Sequence, residues 1–316
     1  MRMRILSLAV LCALGVWGEV AAPSFAWMAD GRVVLTSATA GAVIRYTFEE
    51  KDPDKAAGVY LAPVFVPAGK AVRARAYSAD GAEESFVTVV GGRGLPSTLV
   101  EVTQNRDWKN YDWVKRHEAI VEMGKRRAVD LVFLGDSITH FWGGEPADAR
   151  ARGAEVWDRY YGRRKAMNLG YGWDRTENVL WRLRHGEVDG LSPKAVVVMI
   201  GTNNAGMNTV EEIAAGVEAI CGELRVRLPR AKVLLLGIFP RGAKPNPVRE
   251  KMDAVNRLLA RLDGQGNVTY LDIGKVFLEA DGSISPLIMN DYLHPTAAGY
   301  ERWAAAMEPV LKRLLE

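Results

Sequence analysis

Residues 130–142 read DLVFLGDSITHFW. The apolar run Leu131-Val132-Phe133-Leu134 stops at Gly135, Asp136 and Ser137 with no turn-forming proline, and the next basic side chain is His140. Four consecutive apolar residues predict a strand covered on both faces. A rigid strand that ends on small polar groups is a support on which chemistry can be mounted. Four later runs share that texture: KAMNLG from Lys165, AVVVMIG from Ala195, KVLLLGI from Lys232 and NVTYLDI from Asn267. Between them lie helical patterns. In TVEEIAAGVEAICGELRVRL, Ile213, Val217, Ile220 and Leu224 recur at helical spacing, and Thr209 with Glu212 makes a capping box. The closing helix after Pro295 carries Tyr300, Trp303, Met307, Val310 and Leu314 on one stripe. Five strands with helical crossovers predict a three-layer α/β/α sandwich with a five-stranded parallel sheet.

Upstream the texture changes. Over residues 27–92, RVVLTSA, AVIRYTFE, APVFVPAG, AVRARAYSA and ESFVTVV read as short strands between Gly, Pro and Asp turns, which predicts a small all-β sandwich. In AVRARAYSA, Ala71, Ala74 and Ala76 interleave with Arg73 and Arg75, so one face should be wet. The stretches IRYTFEEKDP and VRARAYSADG, with Tyr60 and Pro63, resemble the chitobiase C-terminal-like β domains found beside carbohydrate-active enzymes. GGRGLPS, residues 91–97, reads as a linker, leaving 99–316 for the α/β domain.

Residues 1–26 have the pattern of a secretory signal peptide: Arg2 and Arg4, an uncharged run from Ile5 to Trp17, then small residues. The run falls short of the roughly 20 residues of a membrane span. Pro23 would follow a cut at Ala22, so a cut at Ala26 is open as well. The expectation is an exported protein, periplasmic or extracellular, with no transmembrane segment in the mature chain. Removal of the leader leaves Cys221 as the only cysteine, on the apolar side of a helical pattern, where packing is its expected role. The formal charge of +3 on 316 residues gives no footprint for nucleic acid. No CxxC or HExxH occurs and His117, His140, His185 and His294 are scattered, so neither a metal nor another cofactor is expected.

Ligands of such sheets meet the carboxyl ends of the strands. Those ends carry Gly135-Asp136-Ser137, then Asn168-Leu169-Gly170, then Gly201-Thr202-Asn203-Asn204. Singly, Ser137 could be a helix cap, Gly170 a turn and Asn203 a cap. Together they supply a hydroxyl, a backbone NH and an amide donor, the parts needed to attack a carbonyl and hold its oxyanion. A serine also needs a base. MNDYLHPTAAGY offers His294 with Asp291 three residues earlier, close enough for the carboxylate to orient the imidazole. No G-x-S-x-G elbow exists, which disfavours an α/β-hydrolase. In GYGWDR, Arg175 stands where a dinucleotide loop needs its third glycine.

With these blocks in order, GDSIT, NLGYGWD, GTNN and DYLHP, the sequence from about Trp108 to Glu316 resembles the SGNH, or GDSL-type, hydrolases. Within them it is most similar to the platelet-activating factor acetylhydrolase catalytic subunits, through NVLWRLRHGE, VVVMIGTNN and LGIFPRGAKPNPVREKM. The resemblance implies a flavodoxin-like fold, Ser137 as nucleophile, His294 as base and Asp291 as its partner. It also implies oxyanion donation by the NH groups of Ser137 and Gly170 and by Asn203. Asp136 is read as a brace for the loop. One departure bears on substrate: relatives tend to a G-x-G-G-D block, whereas this chain has Gly172-Trp173-Asp174. Trp173, His140 and Trp142 are candidates for substrate contact, with loop packing as the alternative. Arg241, Lys244 and Arg249 read as solvated surface.

The expected function is an exported serine esterase that removes acetyl or another short acyl group, with an acylated carbohydrate as the partner. The alternatives are a phospholipid acetylhydrolase or lysophospholipase, an acyltransferase using the same groups, and a non-catalytic glycan-binding protein.

Overall fold

A computed structural model of the chain describes residues 20–28, 32–66, 70–91 and 96–316. The charged and apolar parts of the leader, Arg2 to Trp17, lie outside the described residues, as do residues 92–95 of the linker. The chain forms two compact units, and the second is essentially Val89–Glu316.

The first unit is all β. Strands β1 (Ser24–Trp27), β2 (Arg32–Thr36) and β5 (Val64–Phe65) make one antiparallel sheet in the order β1-β2-β5. A second sheet has the order β4-β3-β6-β7, with β3 at Val43–Thr47, β4 at Gly58–Val59, β6 at Ala71–Tyr77 and β7 at Thr88–Gly91, the last falling on the boundary where the second unit begins. Val33, Leu35, Ile44, Val72, Ala74 and Ala76 are buried. The expected wet face of β6 needs correction at one position. Arg73 is buried, with Nη1 3.0 Å from Asp52 Oδ1, because β6 is an inner strand and a charge there needs a partner. Ser24, Phe25 and Ala26, which a leader ending at residue 26 would include, are paired with β2.

The second unit is the three-layer α/β/α sandwich. Its sheet runs β12-β11-β10-β8-β9, with β8 at Leu131–Gly135, β9 at Ala166–Gly170, β10 at Ala195–Met199, β11 at Lys232–Leu236 and β12 at Val268–Leu271. All four ladders are parallel. Counted within the domain this is the order 2-1-3-4-5, the flavodoxin-like arrangement, in which the chain reverses direction across the sheet beside its first strand. Alternate residues of β8 enter opposite layers. Val132 and Leu134 pack with Ile120 of α1 (Trp113–Arg126), Leu180 of α4 (Thr176–Arg184) and Val217 of α5 (Val210–Arg227). Leu131 and Phe133 pack with Trp157 of α3 (Ala154–Tyr161) and Trp303 of α7 (Ala297–Leu315).

The capping box forms at the head of α5: Glu212 N–H donates to Thr209 Oγ1 at 3.2 Å, and Thr209 N–H to Glu212 Oε2 at 3.0 Å. Cys221 is buried in α5, and burial pushes its thiol up to about 12, as suits a packing residue. Among the described residues no helix is long and apolar enough to cross a membrane.

Candidate active site

Gly135 ends β8 because a side chain would not fit: a Cβ there would stand 2.3 Å from Thr139 Oγ1 and 2.5 Å from the Met199 carbonyl oxygen. The chain then turns into the short α2 (Ser137–His140), whose N-cap is Asp136; its Oδ1 accepts the Ile138 N–H at 2.9 Å. Asp136 is wholly buried, and burial pushes its carboxyl up to about 7. Its place is that of a brace beneath Ser137.

Ser137 Oγ lies 2.8 Å from His294 Nε2, and His294 Nδ1 lies 2.9 Å from Asp291 Oδ2. With Nδ1–H donating to the carboxylate, Nε2 is left free to accept the serine proton. Asp291 Oδ1 accepts the backbone N–H of His294 at 2.7 Å and that of Leu293 at 3.1 Å, so one carboxylate holds both the loop and the ring. Burial would raise the Asp291 pKa, but these bonds and Arg152, 3.1 Å from Oδ2, bring it down to about 2. Burial lowers the pKa of His294 from its ordinary value, opposed by Asp291 and assisted by Arg152 and Arg241.

The loop after β9 differs from its expected role. Gly170 is a glycine because its Cβ would lie 2.2 Å from the His140 backbone nitrogen, and its N–H is spent on Asn168 Oδ1 at 2.8 Å. It therefore has no donor to offer an oxyanion, which corrects the assignment of Gly170. Three residues on, Trp173 has φ +66° and lines the cleft with Ser137, Asn203 and His294. Among the described residues neither its N–H nor that of Ser137 donates to a protein acceptor. Asn203 also reaches the cleft. Its Nδ2 donates one hydrogen to the Asp174 carbonyl at 2.9 Å and has a second to give.

Two other candidates for substrate contact also require correction. Trp142 is fully buried, its ring 4.3 Å from Trp303 and 5.0 Å from Tyr300, because α2 turns it into the α7 layer. His140 is 2% exposed. It accepts the Gly172 N–H on Nδ1 at 3.1 Å and places Nε2 3.0 Å from Asp148 Oδ2. Burial lowers its pKa to about 4, so it is neutral and props the loop from behind. Phe141, between them, does line the cleft.

The cleft has a volume of about 570 Å³. Phe141, Trp173, Val248 and Leu293 form its apolar wall, and Arg150, Arg152 and Arg241 also face it. Sequence reading assigned Arg241 and Arg249 to solvated surface. Instead Arg249 is buried and ties down the loop that carries Arg241, a side-chain-to-backbone tie that residue type and spacing do not reveal.

The family described as GDSL-like lipase/acylhydrolase matches residues 133–302, more than half of the chain. The chain belongs to that family. Membership makes it an ester hydrolase, and residues 33–90 match the family described as Fn3 associated. Platelet-activating factor acetylhydrolase IB subunit alpha2 of Rattus norvegicus is 40% identical over 205 residues, which cover 65% of this chain and 85% of the relative. Subunit alpha1 of Homo sapiens is 39% identical over 204 residues, covering 64% and 84%. A solved Bacteroides fragilis structure, described as an acylhydrolase, shares the fold with a TM-score of 0.53 at 18% identity; the match covers 65% of this chain and all of that one.

Proposed function

We propose that the chain is a serine esterase acting through an acyl-enzyme, with acetyl or another short acyl group on a carbohydrate as its substrate. The reading is carried by one observation, the unbroken chain of hydrogen bonds from Ser137 Oγ, just past the end of the inner strand β8, through His294 to Asp291. As Oγ attacks the ester carbonyl, His294 Nε2 takes its proton and later returns it to the departing alkoxide. The imidazolium formed between these steps is stabilised by Asp291. The developing oxyanion is met by the N–H groups of Ser137 and Trp173 and by the free hydrogen of Asn203 Nδ2. Water activated by the same histidine then releases the acid.

The short acyl group is supported by the Trp173 ring at the cleft and by the acetylhydrolase names of the relatives. The carbohydrate rests on the separate β unit and on export by the leader. Those same relatives favour a second reading, an acetylated phospholipid. Ser137→Ala should remove nearly all hydrolysis of an aryl acetate with the fold intact, and Asn203→Ala should lower kcat by about a hundred- to a thousandfold. Wild-type rates in the serine variant would end the proposal. An effect of Asn203→Ala confined to KM would mean that Asn203 binds substrate without serving the transition state.

A further inference from the structure

Among the described residues the guanidinium groups of Arg150, Arg152 and Arg241 face the cleft, and they differ in whether a carboxylate pairs with them. Arg150 is consumed by two acids: its Nε and Nη2 lie 2.9 and 2.8 Å from the Asp148 carboxylate, and Nη1 lies 2.5 Å from Asp107 Oδ2. Arg152 Nη1 bonds Asn290 Oδ1 at 2.8 Å and Asp291 Oδ2 at 3.1 Å. The Arg241 guanidinium bonds Thr202, with Nη1 3.3 Å from Oγ1 and 3.5 Å from the carbonyl oxygen. Among the described residues its guanidinium pairs with no carboxylate.

The backbone around Arg241 is fixed. Its carbonyl oxygen accepts from Arg249 Nε and from Asn246 Nδ2, both at 2.9 Å. Gly242, at φ +84°, donates its N–H to the Tyr292 carbonyl at 2.7 Å and accepts from Arg249 Nη2. A buried arginine thus holds a half-buried one against the site that Ser137 and His294 share. The buried carboxyl of Asp136 feels the Arg241 charge, but no ion pair joins the two. A half-buried cation without a directly paired carboxylate gains from a ligand that supplies one.

We propose that Arg241 is an anion subsite, so that the favoured esters carry a carboxylate or phosphate beside the scissile acyl group. This rests on the serine-esterase reading and deepens it. A planar guanidinium offers two parallel donors to either oxyanion, and so binds them with direction as well as charge. A carboxylate would come from an acetylated acidic sugar and a phosphate from an acetylated phospholipid.

The experiment compares kcat/KM for an acetylated hexuronate with its neutral methyl ester, and for a soluble acetylated glycerophospholipid with an uncharged acetylated glycerol. Wild-type protein should favour at least one charged member, and the pair that shows the preference identifies the source. In Arg241→Gln the charged-to-neutral ratio should fall by roughly ten- to a hundredfold, the worth of one hydrogen bond between charged groups. Arg241→Lys should restore part of it. A ratio that Arg241→Gln leaves unchanged would overturn the subsite and make Arg241 a prop for the Thr202 loop; so would the absence of a charge preference in the wild type. A parallel titration with inorganic phosphate uses Ser137→Ala protein with and without Arg241→Gln, and reads the subsite without turnover. Binding lost with Arg241 supports the proposal whatever the fate of the serine reading, and binding indifferent to Arg241 overturns it.

Discussion

The two loops that meet at Ser137 are held in opposite ways. Residues 168–175 rest on buried charge. Arg116 donates to the carbonyls of Gly170 and Asn168, at 3.0 and 3.2 Å. Arg182 Nε lies 2.8 Å from Asp174 Oδ2, its Nη1 bonds Glu187, and its guanidinium covers the Tyr171 ring at 3.9 Å. Asp174 also accepts from Trp113 Nε1 at 2.7 Å and Gln104 Nε2 at 3.0 Å. The base loop, by contrast, carries Asp291 with 40% of its side chain exposed, beside an Arg152 that is 31% exposed. In the proposed mechanism oxyanion donors must stand in place before charge develops, and a loop embedded in a low-dielectric network, where a displaced partner is expensive, suits that task. The proposed base must cycle between neutral and charged, and a partly solvated carboxylate permits that at less cost.

The comparison is most easily broken at Arg182. Arg182→Met keeps much of the volume but strands two buried carboxylates, and should cost about 3–5 kcal/mol at neutral pH by denaturant unfolding. The sign of its pH dependence follows from Glu187, which burial would raise but Arg182 and His117 hold below its ordinary value. In the wild type that depression contributes stability above the unfolded carboxylate pKa, lost as pH falls through the folded one. Without Arg182 burial dominates, the folded pKa rises, and the deficit should shrink as acid protonates the stranded groups. A loss below about 1 kcal/mol at pH 7 would show that the oxyanion loop does not depend on this network.

A smaller effect is expected at the exposed tip of the same loop. Trp173 is 53% exposed and held at φ +66°, a conformation natural to glycine, with Arg106 Nη2 donating to its carbonyl at 3.1 Å. Trp173→Gly keeps the N–H, relieves the backbone and removes the ring from the cleft. Acetyl esters should then lose their advantage over butyryl esters, by about 1–3 kcal/mol per methylene where the ring had set the limit. An unchanged acetyl-to-butyryl ratio would mean that the ring does not border the acyl group.

What could be read from the sequence divides along physical lines. The sheet was legible because strands covered on both faces are uninterrupted apolar runs, and the Asp291–His294 pair because three residues bring its members together. The proposed oxyanion donor at Trp173 was not legible. The family resemblance points to the Gly170 N–H, but the missing Cβ of that glycine makes room for the backbone of α2. The open N–H belongs to a tryptophan in a left-handed conformation that residue preference would not assign to it. The G-x-G-G-D pattern of relatives was the available signal, since a small residue at that place marks positive φ. Arg241 was missed for another reason: Arg249 holds its loop from eight residues away, and only the fold shows which charges are left unpaired.

The least disruptive change lies on the exposed side, at Arg152. It is one of the cations that lower the pKa of His294, after burial and against the pull of Asp291. Hydrolysis of a neutral ester needs the neutral imidazole, so the rate should rise with pH through a midpoint below the ordinary 6.5 and then level off. Arg152→Gln removes a positive charge from the neighbourhood of the imidazolium, which becomes easier to form. The acid limb should therefore move upward, toward 6.5, while the plateau rate falls by less than about tenfold and stability by less than about 1 kcal/mol, the range for an exposed ion pair. Added salt should shrink the displacement, since screening acts on charges that water reaches. A limb that stays in place would mean that the Arg152 charge is already screened from the ring. A plateau lost along with it would mean that Arg152 holds the Asp291 carboxylate in position, and the two loops would then be alike in depending on buried geometry.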